Sequence, residues 1–136
     1  MELEGVAEEV LAELGDIVKF SELAAQFVED VTTHCSEMKA SLAELVENPL
    51  NDEARSLVNE ISHIIQGQGG TFGYHLISNI ATAANDLLRE KDTLEPKDVR
   101  NLSNHVEAIS LIITKSMSGY GGKAGRILLQ GLKDYS

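Results

Sequence analysis

Tryptophan is absent from this 136-residue chain and aromatic residues make up only 4% of it, so any core must be built from Leu, Ile, Val and Ala. That mixture suits packed helices. A single cysteine, Cys35, leaves no internal disulfide and no Cys-x-x-Cys redox or zinc site. Basic residues are scarce: 11 Lys and Arg stand against 22 Asp and Glu, for a formal charge of -11. Too little positive charge is present to displace counterions from phosphates, which excludes general affinity for DNA or RNA. No apolar run approaches the length of a membrane span and no basic signal segment opens the chain. The expectation is a cytoplasmic protein with no membrane partner.

The length fits one domain, and 43% hydrophobic residues can supply a true core. Period-2 alternation is rare and helical spacing recurs. Val6, Val10, Leu11 and Leu14 predict a short opening helix ending near Gly15. A longer stripe follows from Phe20 through Phe27, Val31, Met38 and Leu45, and Asn48-Pro49 ends it. Asn51 or Asp52 can cap a helix carrying Leu57, Val58, Ile61, Ile64 and Ile65. Beyond Gly73, another helix carries Leu76, Ile80, Ala84 and Leu87. Thr93 or Glu95 starts a last long helix, with Pro96 in its first turn and Val99, Leu102, Val106, Ile109 and Ile113 as its stripe. The expected fold is all-α: an antiparallel four-helix bundle over residues 1–118, with a short N-terminal helix. Residues 119–136 form a Gly-rich C-terminal extension, in which Ile127, Leu128, Leu129 and Leu132 can form a short helix.

His63 does not fit this apolar pattern. With Ile61 at zero and 100° per residue, His63 falls at about 200°, Gly67 at about 240° and Gly70 at about 180°, opposite the core, with Gln66 beside them at about 140°. Gly67, Gly69, Gly70 and Gly73 crowd into seven residues. Each costs about 1 kcal/mol against alanine if it is helical. Close approach of another protein to the imidazole explains the outward pair, and close helix packing explains Gly69. The bland alternative is a helix that stops at Gln66, but Phe72 keeps the register of Ile61 and Ile65. An exposed imidazole offers a neutral nucleophilic nitrogen near neutral pH, suited to carrying a phosphoryl group. The Gln66 amide, one turn on, can donate a hydrogen bond to a phosphoryl oxygen. Nothing near His63 supplies the cations and metal that stabilise such a transfer, so a partner must bring them.

The segment from His63 through Gln66, Gly67 and Gly70 to Gly73 resembles the signature of histidine phosphotransfer (HPt) domains of two-component phosphorelays. The resemblance spans approximately residues 15–118. It implies that His63 is the phosphoacceptor, that Gln66 takes the polar position one turn later, and that Gly67, Gly70 and Gly73 serve partner docking. It further implies a relay between aspartates of response-regulator receiver domains, fed by a hybrid histidine kinase. This chain would have no kinase activity of its own and bind no cofactor, Mg²⁺ residing on the receiver. It is expected to act as a monomer. Many members carry lysine where Gln66 stands, so here that neighbour brings no charge.

Other chemistries fit less well. Glu60-x-x-His63 has metal-site spacing, but a second such pair is missing and His63 faces outward. His34 and His105 flank apolar stripes and read as partly buried hydrogen-bonding side chains, while His75 reads as exposed. Cys35 reads as a small core residue. The glycines lack the Gly-Lys-Ser/Thr of a P-loop. The partner surface is expected to be largely apolar and shared between the histidine helix and a neighbour. The competing function is a helical adaptor that binds a receiver or another signalling protein without transfer.

Overall fold

The computed structural model describes residues 2–134, which form five helices and no strand: α1 (Glu2–Glu47), α2 (Asp52–Thr71), α3 (His75–Glu90), α4 (Pro96–Thr114) and α5 (Gly122–Asp134). The helix boundaries follow local chemistry. The Asn51 side chain accepts from the Ala54 N–H at 3.0 Å and caps α2. Asp98 accepts from the Glu95 N–H at 2.9 Å across the first turn of α4, and Pro96 occupies the first helical position. Gly73, at φ +82°, turns the chain out of α2.

The expected short N-terminal helix does not exist as a separate element. Gly15 lies inside α1, which runs on unbroken for 46 residues. One glycine costs about 1 kcal/mol in a helix interior and does not by itself reverse a chain. Helix α1 packs on α2 and α4, and α3 packs on the same two, so the four enclose one core. Val31, Met38 and Leu45 of α1, Val58 and Ile65 of α2, Leu76 and Ile77 of α3, and Leu102 and Ile112 of α4 are fully buried there. Cys35 is buried among them as expected, and burial pushes its thiol up to about 11, with Lys39 lowering it and Glu107 raising it less.

The Gly-rich tail is bound to this core. Its α5 packs on α4, and Leu128, Leu129 and Leu132 are partly buried against the core. The Gly119 N–H donates to the Gly73 carbonyl, and the Leu76 N–H donates to the Gly119 carbonyl at 2.9 Å. Gly121 and Gly125 permit this closeness: a Cβ on either would collide with the Leu76 side chain or with neighbouring backbone. Among the described residues no helix is long and apolar enough to cross a membrane.

Candidate functional site

Helix α2 continues through the glycines to Thr71 instead of stopping at Gln66. His63 is therefore helical and exposed, as its angle predicts. The buried arc of α2 is nevertheless rotated from the expected one. Leu57 and Ile64, placed on the core side by periodicity, are each 37% exposed, whereas Ser62 and Gly69 are buried. The arc's centre thus moves by about 50° toward the Ser62 and Gly69 edge.

The cause lies in Gly69. A Cβ there would sit 3.0 Å from the Tyr74 carbonyl oxygen, 3.1 Å from the Ser78 nitrogen and 3.2 Å from the Ser78 Cβ. Its absence lets α3 lie directly on that edge. Ser78 Oγ donates to the Gln66 carbonyl, and Asn85 Nδ2 donates to Gln66 Oε1 at 3.0 Å. Gln66 is consequently half-buried, with its amide oxygen held by α3 and its NH₂ left as the free donor end. Asn85 is itself buried, with no hydrogen-bond partner for its Oδ1.

An open groove follows the α2–α3 seam, lined by His63, Gln66, Asn59 and Arg55 from one helix and by Thr82, Asn85, Asp86 and Arg89 from the other. One expectation is corrected here. The surface is shared with a neighbouring helix as expected, and most of the side chains lining it beside His63 are polar types. Cations are also present, although none was visible on the histidine helix near His63. The Arg55 guanidinium donates to the Leu88, Lys91 and Asp92 carbonyls and closes the end of α3. Arg89 pairs with Asp86 through an exposed ion pair, a weak tie that leaves the side chain able to swing. These α3 residues recur every three or four positions, so their common face is readable from sequence, but their adjacency to His63 is not.

The outward glycines divide by role. Gly67 has open space where a Cβ would stand, and Gly70 has only His75 Nδ1, at an ordinary 3.8 Å. Gly73, assigned to docking from the sequence, has a backbone reason of its own in the turn that ends α2 and receives Gly119.

No protein-family model, curated protein or solved structure matches this chain.

The remaining candidates are also placed. His75, expected to be exposed, is half-buried, its ring stacked on Tyr120 with centroids 5.0 Å apart because the tail folds back over it. His105 is buried with Nδ1 2.7 Å from the Asn101 carbonyl oxygen, as expected. His34 is half-buried, but its Nδ1 has no partner. Among the described residues no three His, Cys, Asp or Glu side chains gather as a metal site would require.

Proposed function

We propose that this chain is an HPt-type phosphorelay intermediate, its α1–α4 forming an antiparallel four-helix bundle that presents His63 to receiver domains. The observation that carries the reading is an exposed His63 on a regular helix, with open space at Gly67 one turn along. A partner's aspartyl phosphate can approach there without meeting a side chain from position 67. The unprotonated imidazole nitrogen attacks phosphorus in line. A P–N bond forms as the P–O bond to aspartate breaks, the electron pair leaves with the carboxylate, and the ring's other N–H proton passes to solvent. A second receiver aspartate later reverses the step.

The free NH₂ end of Gln66 donates to a phosphoryl oxygen, and Asn85 fixes that orientation by holding the amide oxygen. Arg89, released from Asp86, is the cation of the groove that offsets the neutral Gln66. The receiver supplies Mg²⁺ and the remaining electrostatic stabilisation. The test is incubation with phosphorylated receiver domains, following acid-labile, alkali-stable label on the native chain and on His63→Gln. Label on the native chain that disappears in the variant is expected. Equal labelling of both, or none with any receiver, removes the proposal, and binding without label favours the adaptor.

A further inference from the structure

Every residue of α1 from 5 to 26 is exposed except the half-buried Ala24, and Phe20 rests on Phe72 with ring centroids 5.7 Å apart, so the helix before Phe20 projects from the core as an arm. Its surface is not that of a solvated helix. Val6, Val10, Leu14, Ile17 and Val18 are each about half exposed or more, between 49% and 60%. With Val10 at zero, these five lie within about 80° on either side, and Leu11 follows at about 100°. Glu8, Glu9, Asp16 and Glu22 lie about 100° or more away, and only Glu13 intrudes on the apolar side.

The spacing of the apolar residues carries the argument. In the second half of α1 the buried residues Val31, Cys35, Met38, Leu42 and Leu45 alternate steps of four and three. Val10, Leu14 and Ile17 keep the same alternation, joined to it in register through Ser21, Ala24 and Val28. A packing seam that buries one half of the helix thus runs on, unpartnered, along the other half. The chain exposes 8576 Å², whereas a compact protein of 14.8 kDa exposes roughly 7,000 Å².

We propose that the arm pairs with the same arm of a second copy of this chain. The six apolar side chains present roughly 600 Å² per arm, about three quarters of the ~800 Å² per partner of an ordinary stable interface. A two-fold pair uses one patch twice, and here the acids lie mostly on the far side, so like charges do not face each other across the seam. A membrane surface suits the arm less well: its polar face carries four acids and one base, Lys19, which anionic headgroups would repel. Self-pairing departs from the monomer expected from sequence and is independent of the role of His63.

Sedimentation equilibrium of the full chain at micromolar concentration tests this. A mass of two chains is expected for the native protein. The double substitution Val10→Asp with Ile17→Asp should return the mass to one chain while a cooperative thermal melt is kept, because both positions lie outside the core. Leu111→Asp, an exposed apolar site on α4 at 44%, should leave the native assembly intact. A native chain that stays single, including one that instead floats with phosphatidylcholine vesicles, overturns the proposal. So does a V10D/I17D protein with unchanged mass, or an L111D protein that dissociates as readily.

Discussion

Gly67 and Gly69 lie two residues apart in α2, and the same substitution at each isolates one steric term. Alanine at either position gains about 1 kcal/mol of helix propensity and unfolded-state entropy. At position 67 the added methyl enters open space. Gly67→Ala should therefore raise stability by about 1 kcal/mol, or about 3–5 °C in Tm for a chain of this size. At position 69 the methyl meets the backbone of Tyr74 and Ser78 at 3.0 and 3.1 Å. Neither contact is the far end of a flexible side chain, so α3 must shift, at a cost of about 1–3 kcal/mol. The propensity gain cancels between the two variants, and Gly69→Ala should fall below Gly67→Ala by that steric amount. Urea unfolding followed by far-UV circular dichroism, with m-values compared, measures the difference. Equal stability of the pair would refute the close approach of α3. A Gly67→Ala protein no more stable than native would refute a helical backbone at Gly67. Bulk at the same place should affect function in the opposite direction: Gly67→Gln should keep the fold yet slow phosphoryl transfer, and near-normal transfer would remove the steric-clearance argument.

Arg55→Ala should cost about 2–3 kcal/mol in the same unfolding assay, because a charged donor is withdrawn from the carbonyls ending α3. Arg55→Lys should recover only part of it, since an ammonium cannot span those carbonyls as a planar fork does, and full recovery would contradict the capping role. Cys35 gives a pH prediction. Its thiol is raised by burial from 9.0 to about 11, so below pH 9 it is neutral in both states and contributes no slope. Between pH 9 and 11 the unfolded thiol ionises first and stability falls as pH rises. Cys35→Ala should flatten that decline in stability against pH, whatever its offset from the lost packing, and an unchanged slope would refute the assignment.

Much of the candidate site was legible from short-range spacing. The outward angle of His63 and the inward role of Gly69 follow from the helical period and from the cost of unexplained glycines. What escaped was contributed by α3. The bonds that join Asn85 to Gln66 and Arg55 to Leu88 span 19 and 33 residues, and no local pattern pairs such positions. The same gap explains why the polar side chains of α3 could not be assigned to the groove that His63 lines: the wheel of α2 cannot reveal which face of α3 will lie beside it.

Sequence by itself determined the all-helical class, most helix ends and the exposure of His63, since periodicity, caps and glycine cost act within a few turns of one chain segment. Tertiary structure alone decided the rest. It rotated the buried arc of α2 toward Gly69, placed Thr82, Asn85, Asp86 and Arg89 beside His63, and folded the Gly-rich tail onto His75 and Leu76. It also carried α1 through Gly15 into an exposed arm, because a local signal that weakens a helix ends it only where the chain has somewhere else to pack.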